Sequence, residues 1–141
     1  SSDVCSSDLD GFDHTQYKEE VEARWGAAAY ADSDRWWRGL GEEGRQAFMA
    51  EHAEIAQQWA RLRAQGAPVD GPAARALARR HRAWIAVGWG GRPEGTVTAE
   101  ALVGLADMYV ADERFAANYG GAEGARYVRD ALTSYAIEEL A

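Results

Sequence analysis

Two of the three histidines in this 141-residue chain, His52 and His81, stand where a polar ring is least expected. Phe48, His52, Ile55, Trp59 and Leu62 follow one another at intervals of 4, 3, 4 and 3. That spacing places them on one face of a helix. Leu77, His81, Trp84, Ile85 and Gly88 repeat the pattern in the next long segment. An imidazole on an apolar stripe must find a hydrogen-bond partner or face a cavity. Three readings follow: paired core histidines, ligands of a metal or haem, or polar contacts in the wall of a binding pocket. Zinc would need a third ligand at diagnostic spacing, but no His-x-x-x-His occurs, and Glu51 and Glu54 fall off the stripe. A histidine on an apolar helix face is by itself a weak signal for haem. No cofactor is expected.

Catalytic sets are missing from the pattern. There is no Gly-x-Ser-x-Gly elbow, and the glycines of GWGGRPEG lack the Lys-Ser/Thr of a phosphate loop. The acid pairs Glu19-Glu20, Glu42-Glu43 and Glu138-Glu139 read as solvated helix faces. What remains is aromatic: Trp25, Trp36, Trp37, Trp59, Trp84 and Trp89 are heavy usage for this length. Such rings build stiff apolar walls, although each could equally serve ordinary core packing. Aromatic walls with a few polar handles are how a binding pocket is made. The residues therefore point to a binding protein rather than an enzyme. An enzyme of unknown type, or a haem- or metal-binding helical protein, is the alternative.

Composition narrows the partners. With 23 acids against 15 bases and a net charge of −8, the chain offers no basic surface for nucleic acid. No run of apolar residues is long enough to span a membrane, so a cytoplasmic protein is expected. The opening nine residues, SSDVCSSDL, have neither helical nor strand period and resemble translated sequencing-adapter read-through. Setting residues 1–9 aside leaves 10–141 as one domain and lowers the net charge to −6 through the loss of Asp3 and Asp8. It also removes Cys5, the only cysteine.

The elements that must position these residues are helices, and the fold class is all-α. Asp13 caps a first helix from His14 to Trp25, and a short helical piece follows from Tyr30 to Arg38. Both are polar with few buried anchors. The stripes predict a long helix over 42–65, ended by Gly66 and Pro68, and another from Asp70 or Pro72 to Gly88, with Arg75, Arg79, Arg80 and Arg82 mostly outside. GWGGRPEGTV reads as a flexible loop. Thr98 caps a helix through Tyr109, Asp112 caps a short one carrying Phe115 and Tyr119, and Gly120-Gly121 precedes a last helix with Ala125, Val128, Leu132 and Tyr135 inward.

FDHTQYKEEVEARWG (12–26), HRAWI (81–85), GLADMYVADERFAANY (104–119) and YVRDAL (127–132) together resemble the TipAS antibiotic-recognition family. That resemblance implies a globin-like helical domain, commonly the C-terminal part of a MerR-class transcription regulator whose DNA-binding helix-turn-helix and dimerising coiled coil lie upstream. Free-standing members sequester drug. It implies bulky aromatic or peptide antibiotics, thiopeptides or albicidin-like compounds, as ligands. It assigns His52, Trp59, His81, Trp84, Trp89, Tyr109, Phe115 and Tyr119 to the site, and Trp25, Tyr30, Trp36 and Trp37 to a lid over 12–38 that closes on a core over 42–140. Thiopeptide binders can trap ligand through a cysteine in the loop after the HRAWI-like helix. Here GWGGRPEGTVTAE has none, so non-covalent binding is expected.

Overall fold

The computed structural model describes residues 34–140. The expected helix from His14 to Trp25, and the ring of Tyr30, lie outside the described residues. Among those described, every regular element is helical and no strand occurs. Residues 34–39 are helical. They lead into α1 (Gly41–Ala64), α2 (Pro72–Gly88), α3 (Ala99–Ala111), the short α4 (Glu113–Ala116) and α5 (Ala122–Tyr135).

Local chemistry sets these boundaries. α1 ends in a left-handed glycine, Gly66 at φ 70°, with Gly66 N–H donating to the Arg63 carbonyl and Ala67 N–H to that of Leu62. This pair of bonds satisfies carbonyls the helix would otherwise orphan, and glycine adopts the required φ without a Cβ penalty. Pro72 opens α2, where its missing N–H costs nothing. Thr98 Oγ1 accepts from Ala101 N–H at 3.2 Å, and Asp112 Oδ1 from Arg114 N–H at 2.9 Å, capping α3 and α4 as their sequence suggests.

α5 is the central packing element, lying against α3, α2 and α1. Its stripe of Ala125, Val128, Leu132 and Tyr135 is buried with Ile55, Trp59, Leu77, Ile85 and Leu102. The entry to α5 is tight: a Cβ on Gly124 would stand 1.7 Å from the Tyr119 carbonyl oxygen. Glycine there lets the turn carrying Tyr119 lie flat on the start of α5. That contact places the Tyr119 ring over the core.

Two expectations change. Trp37 is 4% exposed and packs with Phe48 and Met49, so the end of the 12–38 segment has a buried anchor. Adjacent tryptophans lie on different helix faces, and only the tertiary fold selects which one is buried. GWGGRPEGTV is pinned rather than free at its end, because Val97 is fully buried and its carbonyl accepts from Arg82 Nε at 2.9 Å. Glu138 and Glu139 are exposed, as a solvated face requires, and from there reach Arg75, and Glu139 also meets Arg79 at 3.4 Å. On the opposite seam Arg80 grips Glu51 with two bonds of 2.7 Å and meets Glu54 at 3.3 Å. This fork fastens α2 to α1.

Candidate ligand-binding site

The stripes of α1 and α2 face each other, and the two histidines meet within one aromatic cluster. Trp84 reaches across from α2 and donates its indole N–H to the Phe48 carbonyl at 3.0 Å. Its ring stacks on Phe48, with centroids 4.7 Å apart, and on His52, 4.5 Å apart. Phe48 and His52 are four residues apart on α1, so one turn of helix offers both rings to the same indole. Trp36 and Trp37 set their rings against Phe48 at 5.2 and 6.0 Å.

Deeper in, His81 is completely buried. Its Nδ1 accepts from Trp59 Nε1 at 2.9 Å, and its Nε2 lies 3.1 Å from the Tyr109 hydroxyl and 3.5 Å from that of Tyr119. Indole N–H can only donate, so Nδ1 is unprotonated and the neutral ring carries its proton on Nε2. Both nitrogens are satisfied, which removes the penalty of burying the ring. Burial, reinforced by the nearby His52, pushes the His81 pKa down to about 3. Burial likewise lowers that of His52 to about 4. Both rings are therefore neutral at pH 7. Burial also raises the Tyr109 phenol, keeping it protonated, while its hydrogen bond with Tyr119 opposes that shift.

His52 is half-buried and closes the cluster, its Nε2 3.0 Å from the Tyr119 hydroxyl. Tyr109 lies against Tyr119 at 4.9 Å and Phe115 at 5.8 Å. Thus His52, Trp59, His81, Trp84, Tyr109, Phe115 and Tyr119 form one continuous set of ring contacts drawn from α1, α2, α3 and the α4 turn. Trp89 sits at the end of α2, half-buried against the main core. Trp36 and Trp37 join through Phe48, whereas Trp25 and Tyr30 lie outside the described residues. Phe48 is the participant that sequence reasoning left as a core position. Its place four residues before His52 was the available signal.

Phe48, Trp59, His81, Tyr109 and Tyr119 are buried within the cluster, while His52, Trp84 and Phe115 are half-buried at its margin. Among the described residues no group of three or more His, Cys, Asp or Glu could hold a metal ion. No described helix is long and apolar enough to cross a membrane.

The chain is similar to known proteins along most of its length. The TipAS antibiotic-recognition domain model matches residues 17–135. The HTH-type transcriptional activator TipA of Streptomyces coelicolor is 35% identical over 129 residues, covering 89% of this chain and 49% of that protein. The HTH-type transcriptional regulator SkgA of Caulobacter vibrioides is 32% identical over 110 residues, covering 78% of this chain and 39% of that protein. The chain thus spans about half the length of these relatives or less. Among solved structures, TipAS of Streptomyces lividans in complex with nosiheptide, described as part of a thiopeptide antibiotic multidrug resistance system, superposes with a TM-score of 0.71. It is 33% identical, and the match covers 89% of this chain and 87% of that one. With a family model spanning both histidine-bearing stripes and the α4 turn, this chain belongs to the TipAS antibiotic-recognition domain family.

Proposed function

We propose that this chain binds a bulky, aromatic-rich peptide antibiotic without forming a covalent bond, and does so as the effector-sensing part of a MerR-type transcription regulator. The ring cluster around His52 and Trp84 carries the reading, in a chain that resembles a nosiheptide-bound structure along nearly its whole length. Flat rings of this kind recognise other flat rings, each well-placed pair contributing about 1 kcal/mol beyond area burial. The neutral imidazole and phenol edges supply orientation without the desolvation cost of a charge.

Residues 34–140 contain no cysteine, and Cys5 is the only thiol in the chain. Capture is therefore by packing and hydrogen bonds. The segment 12–38 closes over the ligand on the core 42–140, with Trp36 and Trp37 as its hinge-side rings against Phe48. Signal transfer then requires differential affinity between open and closed states, passed to an upstream helix-turn-helix that contacts DNA. The relatives' regulatory names support this role over simple sequestration.

Titration with nosiheptide, read by tryptophan fluorescence, tests the proposal, with the mass of the protein measured afterwards. A saturable change with an unaltered mass is expected. No response to nosiheptide, to other thiopeptides or to an albicidin-type compound, from protein shown to be helical by circular dichroism, would overturn it.

A further inference from the structure

The Phe48 ring touches two parts of the molecule at once. On α2, Trp84 and Gly88 stand four residues apart and so share one face. Phe48 covers both: its ring stacks on Trp84 with centroids 4.7 Å apart, and a Cβ added to Gly88 would meet its Cζ at 3.0 Å and its Cε1 at 3.4 Å. Trp36 and Trp37 meet the same ring nearly at right angles, at 78° and 77°. Gly88 ends α2 with no left-handed φ, so its backbone does not call for glycine. The close approach of Phe48 does. Phe48 is buried, and a methyl at Gly88 would have to move its ring by a few tenths of an ångström against these aromatic neighbours.

We infer that Gly88 is a positioning residue of the site: by leaving room for Phe48 it lets one ring set both the stack of Trp84 on His52 and the seat of Trp36 in the helical segment before α1. Trp36 and the Trp84–His52 pair are thereby coupled through Phe48. A ligand that displaces the Trp84 stack acts on the seat of Trp36, and the seating of Trp36 acts on ligand affinity to the same extent. Gly88 itself need not touch the ligand. The coupling of the rings is a property of the free protein, whereas its effect on affinity rests on the proposed antibiotic binding at this cluster.

Gly88→Ala, made in the wild type and again beside Phe48→Leu, tests the inference, because leucine has no atom at the position of Cζ and leaves the added methyl room. The indole N–H signals in 1H–15N spectra report on the free protein, with Trp36→Phe and Trp84→Phe assigning the two that matter. Gly88→Ala should move the Trp36 signal in the wild-type background and leave it in place beside Phe48→Leu. A Trp36 signal that stays put in the wild type, or moves equally in both backgrounds, overturns the coupling. Alanine suits a helical position better than glycine, so the urea midpoint of Gly88→Ala should not fall below that of the wild type. A midpoint that falls together with the affinity would show a general packing defect and overturn the positioning role. In the binding arm, Gly88→Ala should raise the Kd for nosiheptide about fivefold in the wild-type background. Beside Phe48→Leu the same change should alter it by less than about twofold. An unchanged Kd in the wild-type background refutes the effect on the site. Wild-type protein that ignores nosiheptide while Trp36 responds as expected would sink the functional reading and leave the coupling supported.

Discussion

Acid should unfold this domain through its buried histidines, and His81 sets the scale. Its ring titrates near 6.5 when unconstrained and is pushed down to about 3 in the folded protein by burial and by the neighbouring His52. The folded-state value is depressed, so between these two pH values the unfolded chain binds more protons than the folded one. The stabilisation is fully present above pH 6.5 and is lost as pH falls towards 3. At pH 4 the loss from His81 is about 3 kcal/mol. His52 acts in the same sense, with its folded-state value near 4. His81→Gln isolates the effect, because an amide can still accept from Trp59 and donate to Tyr109 but does not titrate. Urea unfolding followed by circular dichroism at pH 7.5, 6, 5 and 4 provides the measurement. Glu51 and Asp112, each held low by a bonded arginine, lose their contributions at lower pH in both proteins and cancel in the difference. Wild type should lose about 3 kcal/mol more than the variant between pH 7.5 and 4. Parallel losses would refute the account of a neutral, enclosed His81.

Other perturbations probe the remaining parts of the structure. Gly124→Ala drives a methyl into the Tyr119 carbonyl and should cost about 3 kcal/mol, seen as a lower urea midpoint. It should also disturb ligand affinity, since the same contact seats Tyr119. Thr98→Ala removes the α3 cap and should cost about 1 kcal/mol in the same assay. The Arg80–Glu51 fork is more than a third exposed on both sides, so a double-mutant cycle with Arg80→Met and Glu51→Gln should give at most about 1 kcal/mol, reduced by salt. Trp84→Ala should weaken nosiheptide binding more than tenfold while Arg79→Ala, on the exposed face of α2, changes it less than twofold; equal effects would place the binding surface elsewhere.

Much of the helical framework was legible in the residue order. Glycine and proline stops, the Thr98 and Asp112 caps, and apolar stripes at helical period are local signals, each acting within a few residues of where it is written. They predict α1, α2, α3 and α5 to within a residue or two at most ends. The same stripes flagged His52 and His81 as polar groups on apolar faces that had to be partnered or facing a cavity. The family resemblance then supplied a role that spacing alone left open.

Tertiary structure decided what those two histidines are. Trp59 and His81 are 22 residues apart, His52 and Tyr119 are 67 apart, and no periodicity links their side-chain atoms. Whether a ring on a stripe is enclosed or half-open depends on which neighbouring helix arrives, at what height, and with which atom. The fold buries His81 completely and leaves His52 at the margin of the cluster. It also chose Trp37 for burial against Phe48 and Met49, and brought Arg75 to the terminal acids. A chain fixes its helices by short-range hydrogen bonds, but contacts between distant residues exist only once those helices have packed, and both the shape of the site and the direction of its hydrogen bonds belong to that second step.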